Sequence, residues 1–389
     1  MRVVLFTDTF LPKVDGLVTV ICLLLDQLAK RGVESLLVVP HMGPDSLTQY
    51  ADTQVLSVAS VAFPFYREMK LGLPLIHGYR EIRVFQPEIV HVLQPMVAGN
   101  AGLLIAKQMR LPAVASLHLD LPRITHHYGI GVIEPLVNRA ARMVFNAADT
   151  ALAPSRLMQR EMHQLGIRNV RLWGRGVDSE RFHPRFQSES MRNALSDGHP
   201  DEMILLYVGR LSAEKQLRQL RSVLEQVPGT RLALVGDGPD RARLEQHFAG
   251  LPVRFMGYLR GEALSEAYAS ADVFVFPSAL ETFGLVVTEA MAAGLPVVAA
   301  RVGGVTDLVT EGVNGYSFDV GDTAALVEGV RRLVTDADHR AQGRTAARAF
   351  AETQTWEAAM DAVVDLYAEL IQQHQQRHQP AQRTSSAAN

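Results

Sequence analysis

Eight short, nearly apolar runs set the architecture of this chain. They are Val3–Phe6, Leu36–Val39, Ile89–Leu93 and Ala113–Leu117, then Ile204–Val208, Leu232–Val235, Val273–Phe276 and Pro296–Ala300. A strand with one wet face alternates apolar and polar residues. A strand covered on both faces does not, and such strands belong to parallel sheets packed between helices. Helical periodicity lies between the runs, in Val20–Lys30, Ala242–Phe248, Leu264–Ala269 and Val286–Ala293. The alternation predicts an α/β protein built from βαβ units.

The pattern restarts near residue 201, after a polar stretch without a strand run. A chain of 389 residues also exceeds one ordinary domain of about 150–200 residues. Two Rossmann-like domains facing across a cleft are expected. Residues 1–186 are expected to form the N-terminal domain, 187–200 a linker and 201–355 the C-terminal domain. A helix over 356–372 is expected to pack back toward the N-terminal domain, followed by a disordered polar tail, 373–389.

Composition removes several classes of partner. The 41 acidic residues nearly balance the 38 basic ones, so no global field invites nucleic acid. The lone Cys22 can form neither an internal disulfide nor a cysteine metal site, which fits a cytoplasmic home. The first residues lack a signal peptide's long apolar region and cleavage site. No stretch approaches the roughly 18 apolar residues of a membrane span. Membrane contact is therefore expected to be peripheral, at the inner face of the cell membrane.

Ligands of open α/β sheets bind beyond the carboxyl ends of the strands, so the loops there carry the chemistry. After Ile204–Val208 come Arg210 and Lys215. Two cations beside a helix start make an anion site, although Glu214 pairing Lys215 would explain the cluster equally well. The loop after Val273–Phe276 favours the first reading. It carries Glu281, Phe283, Gly284, Leu285 and Val286, with Glu289 on the helix that follows. Side chains lean toward a helix's N-terminus, so Glu289 is expected to face the same site as Glu281. Carboxylates repel phosphates but accept hydrogen bonds from sugar hydroxyls. One glutamate can hold a ribose and the other a hexose. Arg210, Lys215 and the backbone N–H groups near Gly284 and Leu285 are left for a diphosphate, where glycine permits close approach.

These segments resemble the glycosyltransferase family 4 pattern on a GT-B fold, with its two glutamates eight positions apart. Further matches are Lys13-Val14-Asp15-Gly16, His118 within Ser116-Leu117-His118-Leu119-Asp120, and Trp173-Gly174-Arg175-Gly176-Val177-Asp178. Val235-Gly236-Asp237-Gly238-Pro239, Gly303-Gly304 and Glu311-Gly312-Val313-Asn314-Gly315 complete the set. The resemblance covers about residues 1–370 and is nearest to bacterial lipid glycosyltransferases, including phosphatidylinositol mannosyltransferases and sulfoquinovosyltransferases.

The resemblance implies a retaining hexosyltransferase using a GDP- or UDP-sugar and a lipid or glycan acceptor. It implies Gly16 in the first strand-end loop against the diphosphate and His118 near the reacting carbon. Arg210 and Lys215 would neutralise the diphosphate, Glu281 would bind the hexose and Glu289 the ribose. Asp120 would orient a substrate. Departures from the pattern are Asp15 before Gly16, Leu285 after Gly284, and Thr306 and Asp307 after the paired glycines.

The acceptor is expected on the N-terminal domain, where Tyr66, Arg67 and Lys70 mix aromatic and cationic character, with Arg80 and Arg83 beyond. A loop and an amphipathic core helix explain this stretch as well. No dedicated metal ligands are expected, and no tightly bound cofactor; a loosely held magnesium on the diphosphate is compatible. Asp336-Ala337-Asp338 follows a helix and reads as surface. Two other readings are a sugar-nucleotide epimerase of the same fold and a catalytically silent sugar-nucleotide-binding protein. A dehydrogenase is disfavoured, because the first strand leads into Thr7-Asp8-Thr9-Phe10 rather than a glycine fingerprint.

Overall fold

The computed structural model describes residues 1–12, 16–41, 43, 46–63, 66–72, 77–93, 95, 97–118 and 134–378, with the backbone alone described over 60–63, 66–72, at His77 and at Val97. Its strands are Arg2–Phe6 (β1), Glu34–Pro40 (β2), Gln49–Tyr50 (β3), Thr53–Val58 (β4), Ser60–Phe63 (β5), Tyr66–Gly72 (β6), Ile89–Val92 (β7) and Ala113–Ser116 (β8). There follow Thr150–Ala153 (β9), Val170–Leu172 (β10), Met203–Val208 (β11), Thr230–Val235 (β12), Val253–Gly257 (β13), Val273–Phe276 (β14), Val297–Ala300 (β15) and Gly315–Phe318 (β16).

Two sheets carry the fold. The first runs β10-β9-β8-β7-β1-β2-β4-β3, parallel except for the short β3 against β4. The second runs β13-β12-β11-β14-β15-β16 and is parallel throughout. Each is doubly wound, and its strand order reverses beside its first strand: between β1 and β7, and between β11 and β14. Such switch points open a crevice for ligands. Lys215 lies in the loop after β11 and Glu281 in the loop after β14, and the switch point of the second sheet brings them together.

The apolar runs form the strands because both sheet faces are covered. Ile204, Leu205, Leu206 and Tyr207 are at most 1% exposed. Full burial of such side chains contributes about 1.5–3 kcal/mol each. Each domain has its own core, and the first sheet has a separate one on each face.

The chain crosses between domains twice at one place. Val177 N–H donates to the Gln354 carbonyl at 2.8 Å. Helix Trp356–His378 then returns to the first domain and packs on helix Gly16–Lys30. Asp361 accepts from Gln27 at 2.9 Å and from Arg31 at 2.5 Å, and Arg171 meets Glu369 through two bonds of 2.6 and 2.7 Å. This helix runs to His378, past the expected end at 372. Helix Glu189–Leu195, capped by Ser188, lies within the expected linker.

Two local expectations need correction. Gly16 opens helix Gly16–Lys30 rather than lying in a loop before it. The stretch carrying Tyr66, Arg67 and Lys70 is neither loop nor helix: β5 and β6 pair as an antiparallel ribbon. The side chains of those three residues, and all of Asp120, lie outside the described residues. Arg80 and Arg83 are exposed on helix His77–Phe85.

Candidate active site

The two loops beside β11 and β14 build one face of the cleft. Lys215 does not pair with its neighbour Glu214, which instead accepts from the Ser212 hydroxyl. The Lys215 ammonium reaches across to Glu281 Oε2 at 3.0 Å and to the Leu280 carbonyl at 3.3 Å. The pair is mostly buried, with side chains 16% and 19% exposed. The Ala279 N–H donates to the Glu214 carbonyl at 2.8 Å, tying the loops by their backbones as well. Arg210 is exposed, and its carbonyl accepts from the Tyr207 hydroxyl at 3.0 Å.

No regular helix starts at Lys215, contrary to expectation. It closes a single 3-10 turn, Ala213–Lys215, and the α-helix begins only at Leu220. The field at the site therefore comes from the cations and from a different helix, Leu285–Ala292, whose N-cap is Gly284.

That helix start is also differently arranged. Glu281 Oε1 accepts from the N–H groups of Thr282, Phe283 and Gly284 at 3.0, 3.3 and 3.3 Å. Those donors are taken by the glutamate, not open to a phosphate. Leu285 and Val286 supply the first two helical N–H groups, which no helix can satisfy internally. Burial pushes the Glu281 carboxyl up, but Lys215 and the loop N–H groups outweigh it and hold it below its ordinary value. Glu281 is thus ionised and fixed by both oxygens.

Glu289 faces Tyr268, whose hydroxyl donates to Oε2 at 2.8 Å. Burial raises its carboxyl to about 7, against the smaller opposing pulls of Tyr268 and Arg181. The two glutamates therefore differ in charge near neutrality.

The first domain closes from the other side. A Cβ on Gly16 would stand 3.7 Å from Leu285 Cδ1. His118, just past β8, is 5% exposed, and its ring lies 5.5 Å from Trp173 and 5.6 Å from Phe283. Arg175, just past β10, lies over both Trp173 and Phe283 at 4.3 Å. Phe283 belongs to the glutamate loop, so this stack joins the domains. Asp307 adds a second bridge, accepting from the Arg156 N–H at 2.6 Å.

Sequence reasoning missed Arg175 and Asp307 as contacts across the cleft. Arg175 stands inside a quoted motif, but Gly-Arg-Gly gives no local sign that the arginine is buried. Asp307 was noted only as a departure from a pattern. The other features resolve simply. Asp237 accepts from Gly238 N–H at 2.7 Å, and its carbonyl accepts from Leu211 N–H at 3.0 Å, so this turn braces the Arg210 loop. Asp336 caps helix Ala337–Glu352 through His339 N–H at 2.9 Å. Among the described residues no group of three or more His, Cys, Asp or Glu is placed to hold a metal.

Behind His118, His91 is buried between the Tyr367 hydroxyl, at 2.5 Å, and the Ser116 hydroxyl. Burial, with a smaller push from Arg175, drops its ring to about 3. Burial and Arg175 also hold His118 well below its ordinary value. A histidine depressed in the fold binds its proton first in the unfolded chain. Its stabilising contribution is full above about pH 6.5 and is lost as pH falls toward about 3. Folding stability is expected to fall by up to about 1.4 kcal/mol per pH unit over that window on account of His91. Urea denaturation at pH 7.5 and 4.5 checks this; a His91→Gln variant should show a shallower loss, and equal slopes would contradict it.

Comparison with known proteins places these observations. Residues 14–181 match the profile Glycosyltransferase Family 4, and residues 194–350 match Glycosyl transferases group 1. A sulfoquinovosyl transferase of Arabidopsis thaliana is 39% identical over 85% of this chain and 66% of its own length. A GDP-mannose-dependent alpha-mannosyltransferase of Mycobacterium tuberculosis is 36% identical over 94% of this chain and 96% of its own. A GDP-mannose-dependent alpha-(1-6)-phosphatidylinositol dimannoside mannosyltransferase from the same species is 28% identical over 92% and 94%. The crystal structure of Anabaena HepE in complex with UDP and glucose superposes with a TM-score of 0.75 at 22% identity, covering 95% of this chain and all of that one. Among the described residues no helix is long and apolar enough to cross a membrane.

Proposed function

From the premise that this chain belongs to the family 4 glycosyltransferases and has the GT-B fold, we propose that it moves a hexosyl group, with retention of configuration, from a GDP- or UDP-sugar to a hydroxyl of a glycolipid or phospholipid. The observation that carries the reading is the Lys215–Glu281 pair, 3.0 Å apart at the switch point of the second sheet, with Gly16 near Leu285 and His118 near Phe283, both just beyond Glu281 in the chain. Names of relatives support the substrate classes: one is GDP-mannose-dependent, and another acts on a phosphatidylinositol dimannoside.

Each group has a role in this reading. Arg210, Lys215 and the N–H groups of Leu285 and Val286 receive the diphosphate and stabilise its charge as it leaves. Glu281 takes a hexose hydroxyl, and Glu289 takes the ribose. The bond between the anomeric carbon and the phosphate oxygen breaks, and the acceptor oxygen bonds the same face of that carbon. The acceptor's proton passes to the departing phosphate. His118 supports this route because, held well below its ordinary range by burial and Arg175, it is a poor base. The acceptor docks on the N-terminal domain, with the enzyme peripheral at the inner face of the membrane.

The test is release of nucleoside diphosphate from GDP- and UDP-hexoses, with and without lipid-acceptor vesicles. Release that requires the vesicles is expected. Sugar isomerisation without release would favour an epimerase, and binding alone would leave a silent carrier.

Glu289 gives this reading a pH signature. A carboxylate accepts hydroxyl bonds better than the neutral acid, and this carboxyl ionises near about 7. Donor affinity is expected to rise as pH climbs from 6 through 7 and then to level. Titrations of Glu289→Gln should lose that rise; a rise unchanged in the variant would remove Glu289 from the donor site.

A further inference from the structure

Arg175 brings a guanidinium into the closed cleft at 8% exposure, and none of its described contacts is a carboxylate. One nitrogen, Nη1, donates to the carbonyls of Trp173 and Gly174 at 2.9 and 3.0 Å. Nη2 points at His118 Nδ1 from 3.5 Å. The flat faces are held by Trp173 and Phe283, so the guanidinium has little freedom to turn away. A guanidinium only donates. A proton on His118 Nδ1 would set N–H against N–H, and a lone pair there is attracted instead. The ring's proton then sits on Nε2. That nitrogen is buried and has no hydrogen-bond partner among the described residues. Buried ring N–H groups are rarely left unpaired, and a sugar oxygen arriving in the cleft would supply the partner.

We infer that Arg175 is a positioning residue for the transfer reaction: it holds His118 as the neutral tautomer protonated on Nε2, so that His118 meets the donor hexose as a hydrogen-bond donor and not as a base. The inference rests on the reading that the cleft takes the donor sugar. Among the described residues, the titratable groups facing His118 are Arg175 beyond β10 and His91 on β7. Neither is an anion that could favour the imidazolium. His91 is itself engaged on both nitrogens, by Tyr367 and Ser116, and leaves Arg175 as the group that selects the tautomer.

The experiment is long-range proton–nitrogen NMR on the full chain labelled with nitrogen-15 histidine, with His118 assigned by difference against His118→Asn. Wild type should show the Nε2–H pattern for His118, unchanged from pH 8 to pH 5. Arg175→Gln should show mixed tautomers and a ring that titrates at higher pH, with kcat lowered about tenfold and nucleoside-diphosphate affinity unchanged. An Nδ1–H pattern in wild type overturns the inference without any variant. An unchanged Nε2–H pattern in Arg175→Gln overturns it equally. A changed ring pattern with unchanged kcat would sink the placing of the donor hexose at His118, while the tautomer assignment stood.

Discussion

Lys215→Ala is expected to lower transfer by about two to three orders of magnitude while the protein remains folded. The ammonium is held in place before any donor arrives, by Glu281 at 3.0 Å and the Leu280 carbonyl at 3.3 Å. A charge already fixed and largely shielded from water stabilises a developing phosphate charge without reorganising. Removing it also releases Glu281, because burial alone would push that carboxyl up. Glu281→Ala is expected to cost about as much, and the double variant little more than either single one, since the two act as a unit. The fold should survive, because the pair lies on cleft loops outside the cores. Single-turnover rates with circular dichroism melts check all three variants. A folded Lys215→Ala retaining near-normal turnover would remove the pair from the reaction.

Gly303→Ala is expected to lose both stability and turnover. The residue has φ +45, and a Cβ there would stand 1.8 Å from the Glu281 carbonyl oxygen. A backbone oxygen cannot swing aside as a side chain can. The loop must move, and the Glu281 carboxylate moves with it. A displacement on the order of 1 Å at a positioning group costs about a hundredfold in rate. The strained backbone adds about 1–3 kcal/mol of instability. Gly321→Ala is the matched control: φ is +88 but nothing lies within 4 Å. It should cost stability and leave turnover alone. Equal turnover in the two variants would mean that the Glu281 loop tolerates movement.

The first residues to be legible in the sequence were those whose environment is local. Ile204–Val208 and Val273–Phe276 read as buried strands because both sheet faces are covered, and they became β11 and β14. β4 was missed because its burial alternates, so Thr53–Val58 never forms a continuous apolar run. β9 was missed because Thr-Ala-Leu-Ala carries too little bulk to stand out. The ribbon of β5 and β6 was missed because its mixture of aromatic and charged residues has no clear period.

The site divides in the same way. Arg210, Lys215, Glu281 and Glu289 were legible as charges following strands. Their partners were not. Lys215 had Glu214 beside it in sequence, yet it pairs with Glu281 because sheet order puts β11 next to β14. Of the N–H groups expected at the phosphate, that of Gly284 holds Glu281 instead, together with those of Thr282 and Phe283, since a carboxylate in that loop folds back on its own backbone. Arg175 became visible only once Phe283 from the other domain lay over it.

The measurement closest to the central claim is a calorimetric titration of the full chain with GDP- and UDP-hexoses, repeated on Lys215→Ala. The account predicts that wild type binds at least one of them and that the variant's affinity falls by about tenfold or more. Binding of equal strength in both proteins, or binding of neither sugar nucleotide by wild type, would contradict it.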